Sequence, residues 1–200
     1  MRAKSINVLF GWTACLAGLT AGCGDVVRQD RSSVLLVVDA LGGASGASGS
    51  VGDIAGTLQS DVVTVVDGNP IVYSDSGSVT LRAIMKNPLL GPSAVNAVTI
   101  NRYRVTYRRS DGRNTPGVDV PYTFDSAVTF TVAAGERATQ GFELVRHVAK
   151  LESPLMALRN NPVIISTVAD VSFFGRDQAG NDVSVSGSFG VQFGNFADPK

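Results

Sequence analysis

The chain has 200 residues, 44% of them apolar, with 17 basic and 17 acidic side chains that balance to zero and a single histidine. That length and apolar content suffice for one hydrophobic core, and the sparse, balanced charge excludes a disordered polyelectrolyte and a nucleic-acid surface built on a basic tract. Two cysteines, Cys15 and Cys23, are too few for a disulfide scaffold or a cysteine-built zinc site, and a lone histidine excludes multi-histidine sites, so neither metal nor cofactor is expected.

Arg2 and Lys4 precede an apolar run at residues 6–19, and small Ala21 and Gly22 stand before Cys23. The run is too short for a stop-transfer helix and has the order of an export signal. Leu19-Thr20-Ala21-Gly22-Cys23 resembles the lipobox of bacterial lipoproteins, with Thr20 in the slot that Leu most often fills. The resemblance implies a signal peptide at 1–22, transfer of diacylglycerol to the Cys23 thiol, cleavage before Cys23, and three acyl chains, such as palmitate, on that residue. It further implies a lipidated tether at 23–32 and a folded domain at 33–200. The membrane is then a partner through lipid on Cys23, because each buried methylene contributes roughly 0.8 kcal/mol. Gly24 stands where an enterobacterial inner-membrane retention signal has Asp, so the expected location is the cell envelope, at the outer membrane. On this reading Trp12 and Cys15 leave with the signal, and 15 basic residues face 17 acidic ones. The competing reading is an ordinary signal peptidase cutting near Ala21, which leaves Cys23 a free thiol.

Residues 33–41 form a continuous Val- and Leu-rich run of strand length, as expected for a strand buried on both faces. The following 42–52 segment is almost only Gly, Ala and Ser. It reads as a mobile loop, or as a tight backbone crossing that needs residues without side chains. In 78–86, Val79, Leu81, Ala83 and Met85 share one face against Thr80 and Arg82, the mark of a half-buried strand. In 96–110 the inward parity changes from Val98 and Ile100 to Tyr103, Val105 and Tyr107, which predicts a β-bulge near Asn101-Arg102. Asp111-Gly112 and Asn114-Thr115-Pro116-Gly117 are turn chemistry, and Pro121 restricts its neighbourhood to an edge or an irregular position. Val128, Phe130 and Val132 then alternate with Thr129 and Thr131. Residues 141–159 read as a strand followed by a turn or short helix, since Pro154 prevents one helix from running through. The strongest signal is last: strands at 163–174 and 183–193 around a polar turn, with Val183, Val185, Phe189, Val191 and Phe193 on one dry face.

These elements predict an all-β protein, an antiparallel β-sandwich in a single domain with insertions. Tyr103-Arg104-Val105-Thr106-Tyr107 before Asp111-Gly112 resembles the third strand of fibronectin type III domains. Asp177-Gln178-Ala179-Gly180-Asn181 resembles the late hairpin turn of bacterial immunoglobulin-like domains. The resemblance implies an immunoglobulin/fibronectin type III-like sandwich with extra length before Gly77 and at 136–160, and it implies no activity. The same arrangement is similar to that of a wider set of uncharacterised bacterial lipoproteins.

Chemistry has few places to reside. His147 would have to serve any histidine-based triad, and the chain holds no Gly-x-Ser-x-Gly elbow, His-Glu-x-x-His or phosphate loop. Glu136, Glu143 and Glu152 are the candidate carboxylates for glycoside hydrolysis, which needs a pair about 5 to 9.5 Å apart. Asp170, Asp177, Asn181 and Asp182 offer oxygens that calcium accepts and that turns equally demand. Arg102, Arg104 and Arg108 share an outward parity on one strand, a stripe able to meet an anionic polysaccharide, lipid headgroups or an acidic envelope protein. Long cations also simply cover sheet faces and guard edges. The expected function is therefore a non-catalytic, lipid-anchored binding or structural module. Its rivals are an accessory subunit of an envelope or secretion assembly and a small envelope hydrolase.

Overall fold

The structure, a computed structural model, describes residues 31–48 and 56–196. The lipobox, Cys23 and most of the expected tether lie outside the described residues.

The described chain is all-β. Its strands are β1 Val34–Ala44, β2 Thr57–Asp61, β3 Thr64–Val66, β4 Asn69–Ile71, β5 Asp75–Met85, β6 Val98–Arg108, β7 Phe124–Val132, β8 Arg137–Val145, β9 Ile165–Asp177 and β10 Asp182–Gly194. One sheet has the order β1-β5-β8 and is antiparallel throughout; the other has the order β2-β10-β9-β6-β7, antiparallel except for β2 beside β10. β3 and β4 form a small hairpin of their own. Among the described residues no helix is long and apolar enough to cross a membrane.

The inner faces of the two large sheets share one core. Val79, Leu81 and Ala83 of β5 are fully buried, as their period-two spacing predicts, and Val191 and Phe193 of β10 likewise. Tyr103 of β6, Phe142 of β8 and Phe173 of β9 meet edge-on or tilted, with the Phe142 centroid 5.1 Å from Tyr103 and 5.4 Å from Phe173. Two tyrosines cross between the sheets: the Tyr103 hydroxyl donates to the Glu143 carbonyl at 2.9 Å and the Tyr107 hydroxyl to the Leu144 carbonyl at 2.6 Å. Burial pushes the Tyr107 hydroxyl well above its ordinary pKa, so it remains a donor.

The predicted bulge is present. β6 slips register between Ile100 and Arg102 against both β7 and β9, so that Tyr103, Val105 and Tyr107 face the core after Val98 and Ile100 have done so. The late hairpin pairs from Phe193↔Ile165 to Asp182↔Arg176. Its turn is closed by Asp177, whose carboxylate accepts from the Ala179 and Asn181 backbone N–H groups at 3.0 and 2.8 Å. The 141–159 region is the end of β8, a one-turn helix α1 at His147–Lys150, and a 3-10 turn at Leu155–Asn160.

Two expectations, for β1 and for the glycine-rich segment, need correcting. β1 is not buried on both faces: it is an edge strand, paired with β5 alone, and Leu35 is 49% exposed. Just before β1, Ser32 is buried, and its hydroxyl accepts from the Val34 N–H at 3.3 Å. The glycine-rich segment is no loop over its described part, because Gly42, Gly43 and Ala44 complete β1 and Gly46–Ser48 is a 3-10 turn. Close approach explains those glycines: a Cβ on Gly43 would stand 2.8 Å from the Leu144 side chain, and one on Gly46 only 2.0 Å from the Ser74 carbonyl oxygen.

Candidate functional site

Pleating places Arg102, Arg104 and Arg108 of β6 on the outer face of the five-stranded sheet. The stripe is not a row of free cations. Arg102 and Arg104 both hold Asp125 of β7, at 2.9 Å each, and Arg108 holds Asp170 of β9, which also accepts from the Ser188 hydroxyl. Arg104 beside Asp125 keeps that carboxyl below its usual range, with Arg102 contributing. Partial burial pushes Asp170 up, but Arg108 and Ser188 outweigh it and hold the carboxyl down. Arg176–Asp182, Ser172–Ser186 and Thr99–Thr131 complete a cross-strand polar ladder on this face. The other sheet repeats the device, with Asp39 of β1 gripped by Arg82 and Arg137. The partners of the β6 arginines and of Asp39 were not legible in advance, because each is set by strand register rather than by local sequence.

At the bulge this face opens into a hollow of about 360 Å³ lined by Asn101, Arg102, Phe174, Arg176, Asp182 and Ser184. The Arg102 guanidinium lies 4.0 Å over the Phe174 ring. Both ends of this site are cationic, yet each cation has a carboxylate in hand. Asp125→Asn, which releases two guanidiniums, should therefore raise the salt needed to elute the protein from an immobilised polyanion. Unchanged elution would show that the stripe does not meet the resin.

The candidate acids do not converge. Glu136 and Glu143 stand seven residues apart along an extended segment, about 23 Å at strand rise. Glu143 borders a groove of about 460 Å³ with Ser76, Ser78 and Gly141, whereas Glu152 borders a separate hollow beside Tyr122 and Arg146. His147 opens α1 on the surface. Of the proposed calcium oxygens, Asp177 closes its turn, Asp182 pairs with Arg176 and Asp170 with Arg108. Among the described residues no three His, Cys, Asp or Glu side chains gather around a common point.

One charged group escaped sequence reasoning entirely. Lys150 of α1 and Asp75 of β5 are 1% and 0% exposed and pair at 2.8 Å. The Asp75 carboxylate also accepts from the Ser60 hydroxyl at 2.6 Å and the Gly46 N–H at 2.9 Å. Four segments distant in sequence are thus fastened on one carboxylate. The only sequence signal is a lysine among the apolar positions that follow β8, which is too weak to single it out. Comparison of the chain with protein-family models and with curated protein sequences found no match.

Proposed function

We propose that the chain is a lipid-anchored protein of the cell envelope whose sandwich, of the immunoglobulin/fibronectin type III kind, serves as a binding or structural module rather than as an enzyme. The observation that carries the fold assignment is strand order. The order supports reading β1, β5 and β8 as A, B and E of that architecture, and β10, β9, β6 and β7 as G, F, C and C′. β2 continues the first strand across to the second sheet, where it runs beside β10. The glycine-rich segment begins in the last residues of β1, ahead of this change of sheet.

Fold alone gives no activity. The module reading is supported by what the ionisable groups do: Asp39, Asp125 and Asp170 brace sheet faces, and Asp75 fastens the core. The anchor rests on Arg2, Lys4, the apolar run and Leu19-Thr20-Ala21-Gly22-Cys23. An outer-membrane position follows from Gly24 after the cysteine.

Intact-mass analysis of protein from bacterial membranes, beside its Cys23→Ser variant, tests the anchor. The expected result is a chain beginning at Cys23 with added acyl mass, and a variant that lacks the acyl mass and moves to the soluble fraction. An unmodified wild-type chain in the soluble fraction would sink the anchor and leave a periplasmic or secreted sandwich.

A further inference from the structure

In the connection from β5 to β6, residues 87–97 carry no ionisable side chain, and Lys86 stands at its start. Within it Leu89, Leu90 and Val95 are 91%, 56% and 62% exposed. One exposed leucine is ordinary on a soluble domain, but three large apolar side chains exposed on one short loop are more than chance exposure requires. The loop is ordered by its own hydrogen bonds. The Leu89 N–H donates to the Asn87 side chain at 3.0 Å, the Leu90 N–H to the Asn87 carbonyl at 3.2 Å, and the Ser93 hydroxyl to the Asn96 side chain at 2.7 Å. The apolar tips are therefore presented outward by a built turn.

Position identifies what they meet. The loop is fastened to the start of the folded chain: the Lys86 N–H donates to the Ser33 carbonyl at 2.9 Å, and the Asn96 amide to the Ser33 hydroxyl at 2.8 Å. Cys23 lies ten residues before Ser33. Ten residues reach at most roughly 35 Å. A bilayer holding a lipid on Cys23 is thus within reach of this pole. The opposite pole, where β10 ends and the 3-10 turn at Leu155–Asn160 is tied to Asn195, is a domain length away.

We propose that Leu89, Leu90 and Val95 insert into the headgroup and upper acyl zone of the bilayer that carries the Cys23 lipid, forming a second membrane contact that orients the domain. The inference rests on the lipid-anchor reading. Tethering makes it physically reasonable: once the lipid is inserted, the loop meets the surface at high effective concentration and loses little further translational freedom. The uncharged loop has no ion to desolvate, and Lys86 at its base suits the headgroup level.

Tryptophan placement tests this directly, because the sequence holds only Trp12, upstream of Cys23. Full-length Leu89→Trp and Met156→Trp proteins, the second labelling the far pole, are purified from bacterial membranes, checked for acyl mass and reconstituted in phospholipid vesicles with or without brominated acyl chains. Indole fluorescence of the Leu89→Trp protein should shift to the blue and lose most of its intensity in the brominated vesicles, while the Met156→Trp signal should not change. Acylated Leu89→Trp protein quenched no more than Met156→Trp overturns the inference and leaves the anchor standing. A blue shift without quenching, meaning that a protein surface covers the loop, overturns it too. Missing acyl mass fails the anchor and the inference together.

Discussion

Lys150→Ala should cost about 3–5 kcal/mol of stability, read as a lowered midpoint in urea denaturation of the Cys23→Ser protein. The physical reason is the state of what remains. Asp75 is fully buried, and removing the lysine leaves its carboxylate with the Ser60 hydroxyl and the Gly46 N–H but no counter-charge. A buried carboxylate in that condition must protonate or admit water, and either weakens the fold. The double variant Asp75→Leu, Lys150→Met should recover part of the loss, because no unpaired charge is then buried. Recovery stays partial, since Gly46 and Ser60 lose their acceptor. Equal losses in the single and double variants would show that charge pairing is not what holds this corner. Asp75 also binds the 3-10 turn at Gly46–Ser48 through the Gly46 N–H and β2 through the Ser60 hydroxyl, so its loss is felt in both elements.

Which features were legible in the sequence follows from the range over which each is determined. Alternation in β5 and across the late hairpin is local, and Val79, Leu81, Val183 and Phe193 lie inside as their spacing requires. The bulge at Asn101 was legible for the same reason: a change of parity within one strand can be seen without knowing its neighbours. β1 misled because Leu35, Val37 and Val38 are apolar whether or not a second strand covers them, and only the sheet order places this strand at an edge. The parallel partnership of β2 with β10 depends on residues more than a hundred positions apart. The candidate stripe shows the same limit. That Arg102, Arg104 and Arg108 share a face is a local fact, whereas Asp125 and Asp170 reach them only through register. Lys150 was hidden more deeply, because a lysine is by default a solvated residue and only the tertiary fold brings Asp75 to it.

Gly175→Ala should destabilise the protein by about 1–3 kcal/mol, although the change adds a single methyl group. Gly175 of β9 sits opposite Ile100, at the point where β6 bulges. A Cβ there would stand 2.3 Å from the Thr99 carbonyl oxygen and 2.9 Å from the Ile100 Cα. Both are backbone atoms, so no rotamer change relieves the contact and the two central strands must separate at their bulge. The consequence is structural beyond the local clash, because this bulge sets the parity that turns Tyr103, Val105 and Tyr107 into the core and Arg102, Arg104 and Arg108 to the outside. Gly91→Ala is the matched control: nothing lies within 4 Å of its Cβ position, and its backbone has no positive φ. That substitution should be neutral or stabilise slightly, by up to about 1 kcal/mol, through reduced freedom of the unfolded chain. Urea midpoints of the two variants in the Cys23→Ser background decide the matter. If Gly175→Ala matches Gly91→Ala, the β6 and β9 backbones do not approach this closely, and the parity switch must be held by something other than this glycine.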